Sequence, residues 1–149
     1  MNPTIELTDK ADWGVWQTLS RPLTAYNEQQ TGRAEDFRFL ILLLRDPESR
    51  EITGGLWGRT LYGWLYIHLL VIPEPQRRQG LGTRLVQMAE QEARAHGCQG
   101  ALVDTFSFQA RPFYERLGYR VFATIEDYPP GHCCYSMKKL LGELPRPAD

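Results

Sequence analysis

From Phe37 to Leu44 the chain runs almost unbroken through apolar residues, and this stretch predicts a buried strand. Asp46-Pro47-Glu48-Ser49 supplies a turn, and Glu51 to Arg59 returns as a second strand. The Gly54-Gly55 pair inside it suits a bulge or a close backbone approach. Gly63 marks another turn before Trp64 to Ile72, a third strand rich in aromatic, Leu, Ile and Val residues. Pro73 and Pro75 stop that strand, because proline cannot donate to a ladder. The period then changes. Leu81, Leu85, Met88, Ala89 and Ala93 form one apolar face, with Glu90, Gln91, Glu92 and Arg94 mostly elsewhere, which predicts an amphipathic helix ended by His96-Gly97. Ala101 to Thr105 is a short strand, Ala110 to Leu117 a short helix closed by Gly118, and Tyr119 to Ile125 a strand. A turn-rich loop over 126–132 leads to a last strand from Cys133 to about Lys139.

The N-terminal part is less regular. Thr4 to Leu7 predicts a short first strand. Asp9 or Asp12 can cap a helix carrying Trp13, Trp16 and Leu19, whose spacing puts them on one face. Pro22 interrupts this pattern, and a second helical piece runs from about Leu23 to Gln30, ended by Gly32. Residues 143–149 read as a flexible tail. A run of antiparallel strands followed by strand–helix–strand places the chain in the α/β class with a mixed sheet. At 149 residues it fits one domain, spanning 1–149.

Composition narrows the partners. With 42% hydrophobic and 23% charged residues and a net charge of −1, nothing favours nucleic acid or a membrane surface. No run approaches the roughly 20 apolar residues of a membrane span. Met1 to Glu6 does not read as a signal peptide, so the expected location is cytoplasmic. The three cysteines, Cys98, Cys133 and Cys134, lack metal-ligand spacing and read as buried or incidental thiols, and no metal is expected.

The chemistry gathers where the third strand gives way to the amphipathic helix. The first turn of a helix presents unpaired N–H groups and the positive end of its dipole, a ready anion site. Gly80 and Gly82 remove Cβ atoms and allow phosphates close to the backbone. Arg77 and Arg78 add charge and forked donors, and Gln79, Leu81 and Thr83 complete the segment, Thr83 with a hydroxyl. The ligand expected is a phosphorylated cofactor. The Walker pattern is missing its lysine, and the dinucleotide fingerprint its third glycine, since Leu85 stands there.

Arg77-x-x-Gly80-x-Gly82 resembles the coenzyme-A signature of the Gcn5-related N-acetyltransferase (GNAT) superfamily. The order of strand, signature, helix, strand and Phe113-Tyr114-Glu115-Arg116-Leu117-Gly118-Tyr119 extends the likeness over roughly the C-terminal two-thirds of the chain. The resemblance implies a GNAT-like fold, a mixed and mostly antiparallel central sheet flanked by helices, with acetyl-CoA as cosubstrate. It implies that Leu70, Val71 and Ile72 offer backbone groups to the pantetheine arm and to the thioester carbonyl. Gln109 becomes the candidate polar side chain beside that arm, with Phe106, Phe108 and Phe113 near it.

Tyr114 falls where a tyrosine of the superfamily often sits near the thioester sulfur, able to protonate the departing thiolate. For the base that takes the amine proton, His68 lies on the strand before the signature, with Glu28, Asp127 and His132 as alternatives. Tyr26 and Tyr66 are candidates to line the acceptor slot. The implied activity is direct transfer of acetyl to a primary amine of a small molecule in a ternary complex. A protein or peptide amine is the related alternative, and a coenzyme-A-binding sensor or interaction module without turnover is the alternative from another class. Dimers are common in the superfamily, and a homodimer is compatible with the sequence.

Overall fold

The computed structural model describes residues 2–142, so the tail expected at 143–149 lies outside the described residues. The chain divides into two compact units, the first reaching Glu35 and the second beginning at Asp36. In the first, helix α1 spans Trp13–Thr31. Asp12 caps it by accepting the Val15 N–H at 3.0 Å. Gly32 ends it in the left-handed conformation at φ 66°, its N–H donating to the Glu28 carbonyl. The break expected at Pro22 does not occur, and Pro22 lies inside the helix. An interior proline costs about 3 kcal/mol, which two capped ends and a 19-residue ladder outweigh. The strand expected at Thr4 to Leu7 does not form either. Ile5 and Leu7 are almost fully exposed, and a short strand without a ladder partner has nothing to hold it.

The second unit is a six-stranded sheet in the order β1-β2-β3-β4-β6-β5. Strands β1 (Arg38–Arg45), β2 (Ile52–Leu61) and β3 (Trp64–Val71) form an antiparallel meander. A 3-10 turn at Glu74–Gln76 leads to α2 (Leu81–Ala95) and then β4 (Gly100–Phe106), which joins β3 in parallel. Helix α3 (Arg111–Arg116) precedes β5 (Arg120–Glu126) and β6 (Cys133–Leu140). Strand β6 inserts between β4 and β5, antiparallel to both. The sheet is therefore mixed and mostly antiparallel, as expected. Among the described residues, no helix is long and apolar enough to cross a membrane.

One face of the sheet carries the core. Leu40, Leu56, Leu65, Ile67, Ala101, Val103 and Met137 meet Leu85, Val86, Ala89 and Ala93 of α2 and Tyr114 of α3. The alternation required of a strand thus splits the apolar run of β1: Leu40 turns inward while Phe39, Ile41 and Leu43 face away. On α2 the buried stripe differs from the one expected, since Met88 is exposed and Glu90 is 2% exposed. Glu90 enters the core because Lys139 and Tyr119 satisfy its carboxylate. Gly54 and Gly55 serve close approach. A Cβ on Gly54 would lie 2.5 Å from the Val71 carbonyl oxygen, and one on Gly55 would strike the Leu42 carbonyl. In the meander one register shift leaves Thr53, next to Gly54, as the extra residue of β2, and the other falls at Trp57/Gly58.

Candidate active site

The opening in the sheet begins at a single extra residue. In the β2–β3 ladder Trp57 pairs with Leu69 and Gly58 with Ile67, which leaves His68 as the bulged residue of β3. A bulge bends its strand and raises the local twist. On the other side of β3, the parallel ladder to β4 runs only from Trp64/Gly100 to Ile67/Val103, although both strands continue. The strands part where His68 is inserted.

The parting creates a cavity of about 710 Å³. His68, Leu70, Val71 and Ile72 line it from β3, with Arg77 and Gly82 at the glycine segment. Val103, Asp104 and Thr105 line it from β4, Phe108 and Gln109 from the following loop, and Phe113 and Tyr114 from α3. Sequence positions 68 to 114 thus converge on one space. Another concavity of about 660 Å³, between β1 and α2, holds none of the candidate catalytic, cofactor or acceptor residues named from the sequence.

The glycine segment forms the start of α2. Gly80 is the N-cap residue at φ 78°, without a side-chain cap or an acidic residue in the first turn. The helical ladder begins with Arg84 N–H donating to the Gly80 carbonyl at 3.0 Å. Leu81, Gly82 and Thr83 therefore have no earlier helical carbonyl for their N–H groups. The two glycines have different physical reasons. Gly80 is required by its left-handed backbone, since a Cβ there would meet nothing within 4 Å. Gly82 serves close packing: a Cβ would lie 3.3 Å from the Phe113 ring, tighter than an ordinary contact, and 3.7 Å from Ile72.

The two arginines also differ. Arg77 Nε donates to the Ile72 carbonyl at 3.0 Å and ties the loop to the end of β3. Arg78 makes no side-chain hydrogen bond or ion pair among the described residues, and it sits at φ 62°, a conformation L-residues rarely adopt. Gln79 Nε2 donates to the Pro75 carbonyl at 3.3 Å. Arg78, Gln79, Gly80, Leu81 and Thr83 adjoin the cavity in sequence but do not line it.

Tyr114 is 4% exposed. Its ring meets Phe113 and Tyr119 edge-on, at centroid distances of 5.1 and 5.5 Å. Burial alone pushes its phenol up to about 12, so it keeps its proton at neutral pH. His68 is exposed on the bulge, with its ring 5.9 Å from that of Tyr66. Gln109 Oε1 accepts the Phe106 N–H at 2.9 Å, which closes the loop and leaves Nε2 as a donor.

The remaining candidates are dispersed. Tyr66 does not line the cavity, but its hydroxyl donates to Asp104 Oδ2 at 2.9 Å. Burial and that hydrogen bond raise its phenol to about 12. His132 lies in the β5–β6 turn, its ring edge-on to Phe108 at 4.8 Å. Asp127, at φ 52°, accepts the Gly131 N–H in the same turn. Tyr26 and Glu28 belong to α1 in the first unit, where Glu28 Oε1 accepts the Glu35 N–H at 3.1 Å. Asp104 and Thr105 escaped the sequence reading. A lone carboxylate inside the apolar stretch Ala101 to Thr105 was the available signal for Asp104.

Residues 5–119 match the acetyltransferase (GNAT) family. An acetyltransferase of Agrobacterium fabrum is 38% identical over 133 residues, which cover 89% of this chain and 96% of that protein. A blasticidin-S acetyltransferase of Streptomyces morookaense is 45% identical over 95 residues, covering 63% of this chain and 70% of that one. The crystal structure of a candidate acetyltransferase from Agrobacterium tumefaciens superposes with a TM-score of 0.84 at 37% identity, covering 93% of this chain and 99% of that chain. With its split sheet, its glycine-led helix and these relatives, the chain belongs to the GNAT family of acetyltransferases.

Proposed function

We propose that the chain is a single N-acetyltransferase domain that moves the acetyl group of acetyl-CoA to a primary amine of a small molecule by direct attack. One observation carries this reading: the gap between β3 and β4 leads from the start of α2 to the buried Tyr114 phenol within one cavity. The Leu81, Gly82 and Thr83 amides, with Arg78, are suited to the pyrophosphate. The edge of β3 from Leu70 to Ile72, past its last rung to β4, supplies backbone groups to the pantetheine arm and the carbonyl. Gln109 Nε2 adds a donor from the opposite wall. The thioester brings an acyl carbon that an amine can attack.

The amine nitrogen forms the new C–N bond, the C–S bond breaks, and the electron pair leaves on sulfur. Tyr114 donates a hydrogen bond to that sulfur. An ordinary thiol has a pKa of about 8.5, so a phenol near 12 assists as a donor more readily than by complete transfer. Of the base candidates in the second unit, His68 alone lines the cavity with Tyr114, which supports it as acceptor of the amine proton, directly or through water. The Streptomyces relative, by its name an acetyltransferase of blasticidin-S, supports a small-molecule acceptor.

Release of free thiol from acetyl-CoA across a panel of small amines and peptides tests the reading. Turnover of small amines that falls in Tyr114→Phe supports it. Turnover confined to peptides would move the acceptor to protein. Binding of acetyl-CoA without turnover on any amine would leave a binding module. Gly82→Trp, which fills the wall beside Phe113, is expected to weaken acetyl-CoA binding at least tenfold, and unchanged affinity would remove the cofactor assignment.

A further inference from the structure

The face of β4 turned from the core carries Leu102, Asp104 and Phe106, by the alternation that buries Ala101, Val103 and Thr105. Asp104 is held from both sides. Tyr66 on β3 donates to Oδ2 at 2.9 Å, and Ser136, its register partner on β6, donates to Oδ1 at 2.6 Å. Each oxygen retains a second lone pair for another donor. Among the described residues no Lys, Arg or His nitrogen forms an ion pair with it. The Arg59 guanidinium sits instead over the Tyr66 ring, 5.4 Å from its centroid. Two neutral hydroxyls fix this carboxylate without neutralising it, and Asp104 is one of the residues lining the Tyr114 cavity.

We propose that Asp104 is the specificity-determining residue of the acceptor pocket, binding an ammonium or guanidinium group that the acceptor carries besides its reacting amine. This rests on the small-amine reading above. The second charge follows from the chemistry. The attacking nitrogen must lose a proton, and a carboxylate beside it would hold that proton in place. A group that stays charged throughout gains from the same carboxylate at no cost to the reaction. Phe106, two residues along the same face, stacks on Phe108 with ring planes 9° apart. Phe108 lines the cavity and gives an apolar surface on which the stem between the two nitrogens can lie.

The test compares 1,4-diaminobutane and agmatine with n-butylamine, in wild type and Asp104→Asn. Wild type is expected to prefer the dications in kcat/KM, and the preference is expected to fall about five- to tenfold in the variant. A calorimetric titration of agmatine without acetyl-CoA should show a comparable loss of affinity. Acetyl-CoA affinity, measured separately, identifies a misfolded variant, and Asp104→Ser then takes its place. A parallel fall for the monoamine and the dications, with the preference intact, would make Asp104 a structural residue and overturn the inference. So would equal use of all three amines by wild type, while the acetyltransferase reading would stand. Absence of thiol release with any amine would remove both.

Discussion

Glu90 grips Lys139 with both carboxylate oxygens, at 3.0 and 2.9 Å from Nζ, tying α2 to β6 within the core. The Tyr119 hydroxyl donates to the same carboxylate at 3.0 Å, and the Glu90 side chain is 3% exposed. Removing one partner of a buried pair leaves the other charge without compensation. Glu90→Ala is expected to cost about 3 kcal/mol or more, read from urea unfolding. Glu90→Leu combined with Lys139→Met should cost less than either single change, because no charge is left buried. Strict additivity of the two would show that the pair is not coupled.

The tyrosines give a test under alkaline conditions. Of seven tyrosines, Tyr66 and Tyr114 are raised to about 12 and Tyr119 further still, burial being the leading cause for each. A raised folded-state pKa stabilises fully below the unfolded value near 10, and that contribution is lost as pH rises through the folded value. The urea midpoint should therefore decline between pH 10 and about 12. Tyrosinate absorbance should show late ionisation of Tyr66, Tyr114 and Tyr119, joining the main transition on addition of denaturant. A single transition near 10 in the folded protein would contradict this burial.

Tyr114→Phe removes only the hydroxyl and leaves the ring contacts to Phe113 and Tyr119. Steady-state kinetics are expected to show kcat lowered about 100-fold, at the lower end of proton-transfer effects. The dissociation constant of acetyl-CoA should stay within about twofold, since the groups proposed to hold its pyrophosphate lie elsewhere. An unchanged kcat would exclude Tyr114 as the donor to sulfur.

Arg77 and Arg78 should separate. Arg77→Ala loses the bond to the Ile72 carbonyl and is expected to lower both stability and acetyl-CoA affinity. Arg78→Asn suits the left-handed backbone and should leave stability within about 1 kcal/mol. Its acetyl-CoA affinity should fall several-fold and respond less to added salt. Equal loss of stability in both variants would deny the division of labour.

The legible parts of the fold were those whose signal is local. Apolar runs bounded by turn residues marked all six strands of the second unit, and the Gly80-x-Gly82 segment marked the start of α2. The misread parts depend on partners. Pro22 reads as a break, but the capped helix runs through it. Thr4 to Leu7 has strand residues and no ladder. Glu90 reads as solvated because Lys139 and Tyr119, which bond its carboxylate inside the core, lie 49 and 29 residues away. Within the candidate site, the residues along β3 and Tyr114 that the resemblance named line one cavity. For Asp104 the sequence offers only a lone carboxylate in an apolar strand, and its partners Tyr66 and Ser136 come to it from 38 and 32 residues away.

The parallel ladder of four rungs between β3 and β4 has a mechanical consequence. It is the single seam joining the β1–β2–β3 meander to the β4–β6–β5 half of the sheet. Beyond Ile67 and Val103 the halves are held by what packs over them, so the sheet can breathe along this line. A ligand lying along the free edge of β3 and touching the opposite wall would act as a splint. Amide exchange should then slow on both banks of the gap together, in Leu69 to Val71 and in Asp104 to Phe106, including amides that never touch the ligand.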